Sequence, residues 1–174
     1  EGAKWAEPAR ITDRLKHEAD GSGYMKPGFA HIFIIPAQGG TPRQITSENY
    51  NHSGSLSFSP SDNSIYFSAN RIEDWEYDFR NSEIYKVNIE TKVITVLTSQ
   101  KGPDFSPKIS PNGNKVAFLG FKDKVQAHQN RILYLMDSDG KNRRAISNNF
   151  DNSLSKIAWD REGKGLYCTY DEKG

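Results

Sequence analysis

The residues best suited to chemistry lie in one stretch, Asn70-Arg71-Ile72-Glu73-Asp74-Trp75-Glu76-Tyr77-Asp78-Phe79-Arg80, where acids, two arginines and three aromatics alternate. Such a mixture suits a surface that holds a peptide amine or a neighbouring domain. The plain alternative is an exposed loop whose aromatics tuck against their own sheet. Glu73, Trp75 and Glu76 are the candidate substrate-binding residues, chosen by their place in this loop. Asp20-Gly21-Ser22-Gly23-Tyr24 is a second, milder candidate, a glycine-rich turn closed by an aromatic.

No catalytic constellation accompanies them. A Gly-x-Ser-x-Gly elbow, the strand-to-helix turn that exposes a hydrolase serine, is absent, and Ser22 and Ser55 stand near glycines without that spacing. His17, His31, His52 and His128 are isolated in sequence, with no His-x-x-x-His or cysteine pairing to hold a metal. Asp137-Ser138-Asp139-Gly140 begins like a calcium loop but lacks the distant glutamate ligand, and a hairpin turn explains it. The expectation is no catalytic residue, no metal and no cofactor, in a chain that does not catalyse a reaction alone.

Net charge is +1 with acids and bases interspersed, so nothing marks a nucleic-acid or anionic-membrane partner. The one basic cluster, Lys141-Asn142-Arg143-Arg144, reads as an exposed turn and strand edge, with a contact site as the alternative. Apolar content of 35% and a mean hydropathy of −0.76 are low for a single packed core, yet 11% aromatics argue against disorder. Many short strands with wet ends fit that combination. Cys168, the lone cysteine, excludes an intrachain disulfide and reads as a packed thiol. No apolar run approaches a membrane span. The chain opens on Glu1, so a natural start is expected to lie upstream and the lack of a leader pattern says little about compartment.

The elements that must position the loop are repeated. Phe58-Ser59-Pro60-Ser61-Asp62-Asn63-Ser64-Ile65 returns as Ile109-Ser110-Pro111-Asn112-Gly113-Asn114-Lys115-Val116, and again, worn, as Trp159-Asp160-Arg161-Glu162-Gly163-Lys164-Gly165-Leu166. The copies lie roughly 50 residues apart, a propeller-blade period. In phase with them run His31–Ile35, Glu83–Val87 and Arg131–Leu135, each followed by a polar turn and a short strand ending Ile45-Thr46, Leu97-Thr98 or Ile146-Ser147. The predicted fold is an all-β propeller of four-stranded antiparallel blades, present in part. An incomplete blade covers 10–46, full blades cover 55–98 and 106–147, and an incomplete blade covers 154–170, all in one domain over 1–174. Arg10–His17 is read as the second strand of the first of these, although Thr12–Ala19 is also the best helical candidate. An open ring of this kind is expected to self-associate through its blade edges.

With strands lettered a to d from the hub outward, the a–b and c–d turns share one rim and are all tight. The other rim carries the long connections, including 18–29, 70–82 and 121–130, and long loops on a rigid scaffold are where binding concentrates.

The strand-a phrases, with Gly39-Gly40-Thr41-Pro42-Arg43-Gln44-Ile45-Thr46 closing a blade, resemble the Ser-Pro-Asp-Gly (WD40-like) repeat of Tol-system periplasmic propellers and of the prolyl oligopeptidase family of serine peptidases. The passages Ile11–Thr46 and Ser68–Asn88 look like the early propeller of acylaminoacyl-peptidase-like members of that family. The resemblance implies a noncatalytic propeller section that gates access and helps position short peptides. Its implied partners are the peptide substrate and a C-terminal α/β-hydrolase domain, absent from these residues. The expected compartment is the cytoplasm, with the periplasm as the alternative. A Tol-like protein-interaction module is the rival reading, and a carbohydrate-active propeller a weaker one, since no acids are spaced as general acid and base.

Overall fold

The computed structural model describes residues 5–6 and 8–172. Fourteen strands and no helix occur among the described residues, so no helix there is long and apolar enough to cross a membrane. In chain order the strands are β1 (Glu18–Ala19), β2 (Gly23–Tyr24), β3 (Phe33–Ile34), β4 (Arg43–Gln44), β5 (Leu56–Phe58), β6 (Ser64–Ala69) and β7 (Glu83–Asn88). They continue as β8 (Ile94–Val96), β9 (Asp104–Ile109), β10 (Lys115–Gly120), β11 (Ile132–Asp137), β12 (Arg144–Ala145), β13 (Leu154–Trp159) and β14 (Leu166–Tyr170). Strands β5-β6-β7-β8 and β9-β10-β11-β12 form two four-stranded antiparallel meanders. Strand pairs β3-β4 and β13-β14 flank them, and β1-β2 is a separate two-stranded hairpin. This is the partial propeller that the repeats predict.

Side-chain alternation explains how the blades stack. Successive residues of a strand face opposite sides of the sheet. In β6, Ile65 and Phe67 pack toward β3-β4 while Tyr66, between them, packs toward the next blade. In β10, Val116 and Phe118 face back to Tyr66 and Ile84, whereas Ala117 and Leu119 face forward to Leu154 and Ile157. Both middle strands are therefore covered on two faces and read as nearly continuous apolar runs. Tyr66, Phe67, Phe118 and Leu119 are fully buried, and burying such a side chain contributes about 1.5–3 kcal/mol.

The repeated phrase closes the a–b turn in the same way each time. The Ser59, Ser110 and Asp160 amides donate to the carbonyls of Ser64, Lys115 and Gly165 at 2.8–2.9 Å. The left-handed residue is Gly113 or Gly163 in the later copies and Asn63 in the first, one place further on. Asp62 fills the glycine position there, and asparagine tolerates positive φ better than most residues.

Two strand expectations fail. Arg10–His17 forms no strand, and Thr12–Ala19 no helix; Glu18–Ala19 pairs with Gly23–Tyr24 across the Asp20–Ser22 turn, and the His17 carbonyl accepts from the Met25 amide at 2.8 Å. The physical reason is exposure: Ile11 and Leu15 lie in solvent, with no neighbouring strand among the described residues to pair their backbone. Strand a of the second full blade also starts earlier than expected, at Asp104.

Blades are joined at the loop-rich rim by a recurring backbone bond. The amides of His52, Asp104 and Leu154 donate to the carbonyls of Ala30, Ser82 and Arg131 of the preceding blade, at 2.8, 2.7 and 3.2 Å. Two residues beyond each acceptor, the amides of Ile32, Ile84 and Leu133 donate to the hydroxyls of Thr46, Thr98 and Ser147 at 3.0, 2.9 and 2.9 Å. The hydroxyl-bearing pairs that end strand d thus extend the c–d ladder by one side-chain rung.

Candidate functional site

The 70–82 connection leaves β6 at Asn70 and folds as successive tight turns, with Tyr77 and Asp78 amides donating to the Asp74 carbonyl at 2.9 and 3.1 Å. Asn70 staples the loop, its Nδ2 donating to the Asp78 carbonyl at 2.7 Å. The three candidates do different things here. Glu73 is exposed; Trp75 is half-buried and meets Phe29 edge-on with centroids 6.4 Å apart; Glu76 is half-buried. Trp75 thereby ties this loop to the 18–29 connection of the preceding blade. Tyr77 and Phe79 stay largely exposed, at 76% and 74%, so of the three aromatics only Trp75 tucks in.

Buried acceptors without donors distinguish this loop. Glu76 Oε1, Asn70 Oδ1 and Asn81 Oδ1 are all inaccessible and lack a hydrogen-bond partner. A buried acceptor left unpaired costs about 1–3 kcal/mol, a cost relieved when the loop opens and these oxygens meet a donor.

Arg71, at the loop's root, is clamped from below. Its Nη2 donates to Glu48 Oε1 at 3.0 Å and its Nη1 to His52 Nε2 at 3.1 Å, while the guanidinium lies over the rings of Tyr50 and Tyr85. Because Nε2 accepts, the His52 proton belongs on Nδ1, which faces the Ala30 carbonyl at 3.3 Å. Burial, and then the neighbouring Arg71 charge, lower the His52 pKa, so the ring is neutral. His31 and His52, separate in sequence, are ring neighbours with centroids 5.6 Å apart.

A second polar cluster lies at the next seam. Glu83 and Asp104 are buried, and burial raises their pKa values to about 7 and about 6. The Thr98 hydroxyl donates its single proton to Glu83, so Asp104 Oδ2 has no partner. Asp104 Oδ1 receives Gln100 Nε2 at 2.7 Å and Arg143 Nη2 at 3.3 Å. Arg143 reaches it by lying over Phe118 and Tyr134, so this member of the expected exposed basic cluster turns inward. Cys168 packs against the core and burial raises its thiol pKa, as fits a packed thiol.

Sequence reasoning missed Glu48, His52, Asp104 and Arg143 as a set, because their side-chain partners lie 19 to 39 residues away in the sequence. The available signal was phase, and it covers only one of the seams: Asp104 stands five residues before Ile109 as Leu154 stands five before Trp159, whereas His52 is one residue out of that phase. Among the described residues no group of three or more His, Cys, Asp or Glu is placed to hold a metal.

Comparison with known proteins agrees with this architecture. The chain is 35% identical over 75 residues to the probable dipeptidyl-peptidase 5 of Aspergillus clavatus, covering 42% of the chain and 10% of that protein. It is 23% identical over 130 residues to dipeptidyl-peptidase 5 of Porphyromonas gingivalis, covering 74% of the chain and 19% of that protein. The chain thus spans a fifth or less of the length of these relatives. Among solved structures, TolB from Acinetobacter baumannii superposes with a TM-score of 0.64 at 22% identity, over 83% of this chain and 33% of that one, a likeness of fold. The family model for the dipeptidyl peptidase IV N-terminal region matches residues 3–124. That match covers well over half of the sequence, and the chain belongs to this family of peptidase propeller regions.

Proposed function

We propose that these residues form part of a peptidase propeller whose loop-rich rim gates access and positions the amino terminus of a short peptide. Selection is steric and electrostatic: stacked blades exclude folded proteins, and the 70–82 loop, on opening around a ligand, turns its acceptors to an ammonium group. The observation that carries the reading is the set of buried, donor-less acceptors on that loop, Glu76 Oε1, Asn70 Oδ1 and Asn81 Oδ1. The names of the relatives, dipeptidyl-peptidases, favour a substrate with a free amino end over a blocked one. Catalysis falls to an α/β-hydrolase domain of the same protein, since these residues contain no nucleophile elbow.

The test compares kcat/KM for peptide substrates with free and acetylated amino ends in the full-length protein and its Glu76→Gln variant. Losing one charge-assisted hydrogen bond of about 1.5–3 kcal/mol lowers the value for free-amine substrates about 10- to 100-fold and leaves acetylated ones unchanged. An equal fall for both substrates contradicts the assignment. The 174-residue chain alone is expected to hydrolyse neither aminoacyl nor acylaminoacyl chromogenic esters; turnover blocked by a serine-directed inhibitor contradicts that.

A further inference from the structure

A cavity of about 490 Å³ opens on the same rim one blade further on, between the 121–130 connection and the segment after β12. Its size is that of an ordinary ligand pocket. Phe121, Tyr134 and Phe150 supply apolar wall, and Phe150 is held edge-on against Tyr170 with centroids 4.9 Å apart. Lys122 and Lys124 line it and, among the described residues, have no carboxylate partner. The turn lysines Lys115, Lys141 and Lys164 behave differently, each being paired with an acid of its own turn or hairpin.

The backbone carrying these two cations is fixed. Gln129 Nε2 donates to the Lys122 carbonyl at 2.7 Å, and the Lys124 amide donates to Gln129 Oε1 at 2.8 Å. Asp123, between the lysines, spends its Oδ1 on the Val125 amide at 2.7 Å. The one carboxylate lining the cavity, Asp151, is engaged by Asn130 Nδ2 at 3.0 Å. The result is a pre-formed cavity whose lining carries the cations Lys122 and Lys124, without ion-pair partners among the described residues, against the single anion Asp151, with the amide side chains Gln126, Asn148 and Asn149 around it. Amides both donate and accept, as a peptide backbone requires.

From this we infer that the 121–151 cavity is a second peptide subsite, which takes an acidic segment through Lys122 and Lys124. The inference rests on the peptide-handling reading above and deepens it. A substrate held by its amino end at the 70–82 loop has its acidic portion on the adjacent blade.

The experiment is equilibrium binding to the full-length protein, read by fluorescence anisotropy. The probes are a short peptide ending in glutamates and its all-glutamine counterpart, both dye-labelled at the amino end. The label blocks the amino group, so binding does not depend on the 70–82 loop, and failure here is separable from failure of the proposed function. Two exposed ion pairs at up to about 1 kcal/mol each give the glutamate peptide an advantage of about 5- to 20-fold. That advantage is expected to vanish in the K122Q/K124Q double variant and to shrink as salt rises. Equal affinity for the two peptides overturns the inference, as does an advantage that survives the double variant or is indifferent to salt. An acidic oligosaccharide that displaces the label at lower concentration than the unlabelled glutamate peptide overturns the peptide assignment.

Discussion

His52 and Asp104 occupy the same seam position in successive blades, each donating its backbone amide to the preceding blade, at 2.8 and 2.7 Å. Both side chains are buried and both meet an arginine, but the arginines arrive from opposite directions. Arg71 reaches His52 from the 70–82 loop of the same blade, whereas Arg143 reaches Asp104 from the start of strand d. The third seam carries Leu154, which packs in the apolar core. One backbone frame thus accepts a base, an acid or a hydrocarbon, and the polar occupants give their seams a dependence on pH.

At the Glu83–Asp104 seam the sign is definite. An acid whose native pKa lies above its unfolded value binds more protons when folded, so stability falls as pH rises between the two values. For Glu83 that window runs from its ordinary 4.5 to about 7. Glu83→Gln is expected to flatten this part of the pH–stability curve, gaining about 1–3 kcal/mol on the wild type between pH 5 and pH 8. Denaturant titrations followed by tryptophan fluorescence at both pH values check it; a gain independent of pH contradicts the assignment.

Thr98 serves the same seam twice, accepting from the Ile84 amide and donating to Glu83. Thr98→Val keeps the shape and strands both partners, at a cost of about 2–4 kcal/mol. Thr98→Ser keeps the hydroxyl and is expected to cost under about 1 kcal/mol. Comparable losses in the two variants, measured by denaturant midpoint, would assign Thr98 to packing instead.

Arg71 holds the root of the 70–82 loop through Glu48 and His52. Arg71→Lys keeps a charge but loses the planar fork that reaches Glu48 and His52 together. The expected result is a KM about fivefold higher for free-amine peptides, with kcat little changed and acetylated peptides unaffected. A uniform fall in kcat for both substrates would point to general destabilisation.

Much of the scaffold was legible because it obeys short-range rules. The Ser-Pro turns close through their own backbone, and β6, β7, β10 and β11 announce themselves as apolar runs that two neighbouring blades cover. Arg10–His17 misled because its composition suits a strand while, short of the bond from Met25 to His17, no strand among the described residues lies alongside to pair it. At the site, the choice of loop could be read, since acids and aromatics crowd it. The separate fates of Glu73, Trp75 and Glu76 could not be, because they turn on Phe29 from another blade and on which carboxylate oxygen is shut from water. The His52 and Asp104 clusters escaped for the same reason: each is assembled across a seam.

On the function proposed above, the loop-rich rim handles peptide and the Ser-Pro turns are scaffold. Hydrogen–deuterium exchange of the full-length protein, with and without a saturating free-amine peptide, tests it most directly. Slowed exchange in 70–82, with no change in the turns at 59–64 and 110–115, is the predicted result. Protection at those turns, or none at 70–82, would contradict it.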